Sequence, residues 1–182
     1  SDDNMAGVLL KGIDQSYDAT LFESRIIEGA MPSIGATPRS KEILISQSVA
    51  QAMDVVVGDR IEMVFVDAES GVIRDRFTIS GIYLTGVDAI DDILVLTDMP
   101  NVAREYDGDA NYITGYEIWL KPEVDRAVVE RRLNGALQEI FLNEGILSEA
   151  FAIDRVYPEI FGWLETHDIN ALVVIVIMVI VA

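Results

Sequence analysis

The stretch Glu42-Ile-Leu-Ile-Ser-Gln-Ser-Val-Ala-Gln-Ala-Met53 decides the fold. Ile43, Leu44 and Ile45 in succession leave no polar side, so Glu42–Ser46 reads as a strand buried on both faces. Ser46 or Ser48 then stands where a helix needs its N-cap, with a hydroxyl able to accept a first-turn N–H. Val49, Ala50 and Met53 follow on one helical face, so Gln47–Met53 reads as a short helix.

Upstream of this unit, residues 6–13 read as a strand closed by a turn at Asp14, and residues 18–28 as the place of a short helix. Residues 29–40 are loop, broken by Pro32, Gly35 and Pro38. Downstream, Arg60–Asp67 alternates, with Ile61, Met63 and Phe65 on one side and Glu62, Val64 and Val66 on the other. Residues 68–71 form a hairpin loop and residues 72–84 the return strand, where Gly81 marks a bulge or a close backbone approach. Residues 93–97 are another buried strand, and Asp98 caps a helix running through Pro100 to Tyr106. Residues 107–111 make a turn and residues 113–121 a strand.

Pro122 opens the clearest helix of the chain. Leu133, Ala136, Leu137, Ile140 and Phe141 form its apolar stripe, extended by Val124 and Val128, and residues 143–145 end it. Arg126, Glu130, Arg131, Arg132 and Glu139 occupy its wet side. Residues 150–156 read as a last strand, and Pro158 opens a terminal helix. Strands interleaved with short helices around a central hairpin specify an α+β fold with a mixed sheet, not a TIM barrel or a Rossmann unit.

The 182 residues include 31 acidic and 13 basic ones, a formal charge of −18. No basic cluster is visible along the chain, which argues against a nucleic-acid partner. An acidic face is repelled by anionic headgroups, so the domain should stand off from a bilayer. A hydrophobic fraction of 51% is ample for a core. The absence of cysteine means folding without disulfides, which is compatible with a periplasmic address.

The catalytic inventory is thin. His167 is the sole histidine, so His-dependent triads, Cys nucleophiles and ordinary zinc sites lack their parts. No enzyme, catalytic residue, metal ligand or cofactor is expected. Asp107-Gly-Asp-Ala-Asn111 begins like a calcium loop, but Tyr112 and Ile118 stand where Gly and Glu are required, so it reads as a turn. Asp88, Asp91 and Asp92 gather three carboxylates beside a strand, either as a solvated charge run or as a group for acid–base work or a hard cation. No phosphate-binding loop is present.

Residues 171–182, Ala-Leu-Val-Val-Ile-Val-Ile-Met-Val-Ile-Val-Ala, are wholly apolar. As a helix they rise roughly 18 Å, short of the about 30 Å of a bilayer core. They read as the start of a transmembrane helix cut at Ala182 or as a buried C-terminal strand; residues 158–170, leading in as helix, favour the first. On that reading residues 1–6 are a linker or cut end. Residues 7–157 form an extramembrane domain, with a β-rich middle at 42–98 and a strand–helix–strand part at 113–156. Residues 158–182 connect it to the membrane. Ile160, Phe161 and Leu164 share a helical face that should pack on the domain, while Gly162 weakens the helix. Tyr157, Phe161 and Trp163 sit where interfacial rings are enriched, or pack as ordinary core.

Six segments then carry a resemblance by their order: Gly7-Val-Leu-Leu-Lys-Gly-Ile-Asp14; residues 43–53 followed by Val55-Val-Val-Gly-Asp59; Phe77-Thr-Ile-Ser-Gly-Ile-Tyr83; Asp92-Ile-Leu-Val-Leu-Thr-Asp98; Ile113-Thr-Gly-Tyr-Glu-Ile-Trp-Leu120; and Ile160-Phe-Gly-Trp-Leu164. Together they resemble the periplasmic domain of lipoprotein-releasing ABC transporter permeases, the LolC/LolE group within the MacB/FtsX-like permeases. The resemblance implies a non-enzymatic inner-membrane subunit whose MacB-like domain faces the periplasm between two transmembrane helices. A cytoplasmic ABC ATPase would power it, with a second permease subunit as homo- or heterodimer partner and a lipoprotein as cargo, handed to a periplasmic carrier where one is recruited. The implied coupling helix carries Ile160, Phe161, Gly162, Trp163 and Leu164.

Two features depart from the family pattern. The chain starts almost on the glycine–valine strand, without the strand–helix–strand unit that normally precedes it, which should leave an unpaired edge or a swapped dimer. Its loop Asp67-Ala-Glu-Ser-Gly71 is short and lacks the proline of the carrier-recruiting member. MacB-like export, an FtsX-like regulatory permease and a membrane-tethered periplasmic enzyme are the alternatives.

Overall fold

The computed structural model describes residues 5–67, 71–103 and 113–156. They form β1 (Leu9–Ile13), α1 (Thr20–Glu23), β2 (Ile26–Gly29), β3 (Glu42–Ser46), α2 (Gln47–Met53), β4 (Arg60–Asp67), β5 (Gly71–Tyr83), α3 (Asp88–Asp91), β6 (Leu94–Asp98), α4 (Met99–Ala103), α5 (Arg126–Glu144) and α6 (Ile153–Val156). The fold is α+β with a mixed sheet and few helices, as the element order predicts. The chain divides into two compact units, Ser1–Gly115 and Tyr116–Ala182.

In the first unit the strands run in the order β1-β6-β3-β5-β2, with β4 also paired to β5. β3 is parallel to β5 and antiparallel to β6, while β1 is parallel to β6. Its doubly buried reading holds: Ile43, Leu44 and Ile45 are fully buried. Ile43 and Ile45 join Val49, Phe77, Ile79 and Val95 in one apolar cluster, whereas Leu44 joins Ile13, Phe22, Tyr83 and Leu96 in another. Tyr83 resolves its buried hydroxyl by donating to the Leu94 carbonyl at 2.7 Å. Burial, with the nearby Asp91 charge, pushes that phenol far above its ordinary pKa.

Ser46, not Ser48, is the cap of α2: its Oγ accepts the Val49 N–H at 3.0 Å and donates to the Asp91 carbonyl. Gly81 answers both of its sequence readings. The β3–β5 register skips Ser80, and a Cβ on Gly81 would stand 2.5 Å from the Ala30 carbonyl oxygen.

Four expectations are corrected. Within residues 18–28 only Thr20–Glu23 is helical, because Ile26–Gly29 finds β5 as an antiparallel partner and the β-branched pair Ile26-Ile27 suits a strand. Residues 113–121 form no strand, since no described segment pairs with them. The end of the chain's last expected strand, residues 153–156, is instead the short helix α6, again for want of a ladder partner. The long helix starts at Arg126 rather than Pro122, because Asp125 caps it, accepting the Ala127 N–H at 2.9 Å. Its stripe meets little: no residue of α5 is buried. Among the described residues no helix is long and apolar enough to cross a membrane. Residues 157–182, with Ile160, Phe161, Gly162, Trp163, Leu164 and His167, lie outside them, as do residues 104–112 and the hairpin residues 68–70.

Candidate functional site

β4 pairs over its full length with the first part of β5, from Arg60 opposite Thr78 to Asp67 opposite Gly71. β3 reaches only residues 78–83 of β5, and β2 only 81–83. Residues 61–67 and 71–77 therefore run past the sheet as a two-stranded ribbon. Its register puts Arg60, Glu62 and Val64 of β4 beside Thr78, Arg76 and Arg74 of β5 on one face. A two-stranded ribbon is marginal alone, so cross-strand pairs matter here. Arg74 reaches Glu62 at 2.9 Å and Arg76 reaches it at 3.5 Å.

At the base of the ribbon the loop leading into β3 adds two more cations. Lys41 hydrogen-bonds Asp75, and the Arg39 guanidinium stands 3.9 Å from the same carboxylate. Burial alone would raise the Asp75 pKa. The Lys41 hydrogen bond, the Arg76 N–H and the two positive charges outweigh it and hold the carboxyl below its ordinary range. Lys41, Arg60, Ile61, Glu62, Arg76 and Thr78 line an open groove of about 540 Å³.

Three of the 13 basic residues, Lys41, Arg60 and Arg76, thus line one groove from three separate segments in a chain of net charge −18, while Arg74 pairs with Glu62 and Arg39 stands against Asp75. This corrects the expectation that basic residues do not cluster. The signal was legible in part: once residues 68–71 are taken as a hairpin, alternation alone places Arg60, Arg74 and Arg76 on one face. Arg39 and Lys41 arrive through the parallel β3–β5 pairing, which local pattern does not encode. The chemistry the groove offers is recognition of an anionic group.

The three carboxylates singled out by sequence do not form a site. Asp91 is buried, and its carboxylate accepts from the Thr85 N–H (3.0 Å), the Thr85 hydroxyl (2.7 Å) and the Gly86 N–H (2.8 Å). It holds the turn between β5 and α3. Asp88 and Asp92 are exposed. Among the described residues no group of three or more His, Cys, Asp and Glu is placed to hold a metal ion.

The Val55-Val-Val-Gly-Asp59 turn has a structural part. Asp59 Oδ2 accepts the Val56 N–H at 2.9 Å, and Gly58, at φ 94°, donates to the Ile79 carbonyl at 2.8 Å. A side chain would be strained at that φ. No known protein family is matched by the chain, and no curated protein is matched by its sequence.

Proposed function

We propose that this chain is the extracytoplasmic domain of an ABC transporter permease subunit in the cell inner membrane, facing the periplasm. The subunit couples cytoplasmic ATP hydrolysis to release of lipoproteins from that membrane. Its partners are the ATPase, a second permease subunit and the lipoprotein cargo. One observation carries the reading: segments that resemble the permease domain, in the same order, fall on joints of the first unit. Val55 to Asp59 is the hydrogen-bonded turn between α2 and β4, and Phe77 to Tyr83 contains the close approach at Gly81. Residues 43–53 are the doubly buried strand and its capped helix.

A domain of this kind acts by recognition and displacement, and the basic groove at the base of the ribbon is the described surface best suited to a partner protein. Reconstitution tests the proposal. The full-length protein in liposomes, with the ATPase encoded beside it, should release an inner-membrane lipoprotein when ATP is added. Failure to bind any ABC ATPase would overturn the permease reading. ATPase binding without release, accompanied by export of a soluble substrate or activation of a cell-wall hydrolase, would replace lipoprotein release by that role.

A further inference from the structure

The loop between β2 and β3 is tied to the β6–α4 junction by several polar contacts. Gly35 donates its N–H to Asp98 Oδ1 at 3.0 Å, and Arg39 donates to the Pro100 carbonyl at 3.2 Å. Asn101 Nδ2 donates to the Ser40 carbonyl and to Thr97 Oγ1, both at 2.8 Å. Thr97 Oγ1 in turn donates to the Glu42 carbonyl at 2.8 Å. That chain of donors fixes the Asn101 amide: its nitrogen faces a carbonyl, so its oxygen is the other end.

Two acceptors are left over. Asn101 is fully buried and its Oδ1 has no hydrogen-bond partner; Asp98 is 2% exposed and its Oδ2 has none. A carboxylate and an amide oxygen cannot satisfy each other, and leaving both dry is costly. The guanidinium entering this junction, Arg39, is committed to the Pro100 carbonyl and stands against Asp75.

We propose that this junction binds a monovalent cation, sodium or potassium, through Asp98 Oδ2 and Asn101 Oδ1. The donor set is all oxygen, which suits a hard ion and not zinc or copper. Asp98 supplies one negative charge, so a single positive charge neutralises the site, whereas a divalent ion would leave an excess charge buried. The bound ion pins the 30–41 loop to α4.

Thermal unfolding of the chain at fixed ionic strength tests this, with choline chloride replaced stepwise by sodium or potassium chloride. Fixed ionic strength matters because general screening also stabilises a chain of charge −18. Wild type should gain stability as sodium or potassium replaces choline, the folded-to-unfolded ratio rising about tenfold per tenfold increase in ion above its dissociation constant. The isosteric Asp98→Asn should be indifferent to which cation is present. Should Asp98→Asn fail to fold, sodium-NMR line broadening by wild type, reversed by excess potassium, serves instead. Identical midpoints in all three salts, or no line broadening, would mean a buried water only and overturn the proposal.

Discussion

Residues 42–103 and residues 113–156 carry equally clear apolar patterns, and only the first set is buried. β3 has three consecutive side chains without solvent contact, while α5, whose stripe is the most regular in the chain, has none buried. Tyr116 and Trp119 are 84% and 71% exposed. The difference teaches that periodicity announces a face that favours burial, whereas burial itself depends on a partner surface. In the first unit each strand finds its partner within the described residues. The segment 113–121 finds none, and so an alternating sequence forms no ladder.

The largest expected contrast is between two truncations. Phe77→Ala removes a ring from the first unit's core and should cost about 3–5 kcal/mol in a urea melt. Leu137→Ala, on the half-covered stripe of α5, should cost about 1 kcal/mol or less. Equal losses would erase the comparison.

Two glycines sharpen it with opposite signs. Gly81→Ala drives a methyl against the Ala30 backbone and should destabilise by about 1–3 kcal/mol. Gly135→Ala lies inside α5 with open space around the new methyl, and should stabilise that helix by up to about 1 kcal/mol. Circular dichroism of both variants on heating reads the two signs directly.

How far this was visible beforehand follows from the same contrast. β3 and α2 were legible because burial on both faces and a serine cap are local signals, and the structure confirms the cap at Ser46. β4, β5 and the special place of Gly81 were legible from alternation. β2 was not, because a four-residue strand depends on β5 for its existence. The strands expected at 113–121 and 150–156 failed for the converse reason: pattern was present and a partner absent among the described residues. The basic groove was half legible, since hairpin register is local but β3–β5 pairing is not. Asp91 illustrates the commonest ambiguity, a carboxylate that looks available in sequence and is spent on its own turn.

Smaller effects test the joints. Ser46→Ala should cost about 1 kcal/mol, since it removes the α2 cap and the donor to the Asp91 carbonyl. Asp75 has a lowered folded-state pKa, so its contribution is present above its ordinary unfolded value of 3.8 and is lost as pH falls through the lowered value. Asp75→Asn should therefore flatten the acid limb of the stability profile below pH 4 and bring the variant level with wild type at the acid end. An unchanged acid limb would remove the Lys41–Asp75 link from the account. Arg74→Ala, on an exposed pair, should change stability by less than about 0.5 kcal/mol.

Amide hydrogen exchange measured residue by residue tests the central contrast most directly. Residues of β3, of β5 from 78 to 83 and of β6 should exchange only through global unfolding, at rates set by the full stability of the unit, while residues 113–121 exchange orders of magnitude faster. Protection of residues 113–121 equal to that of β3 would contradict the account.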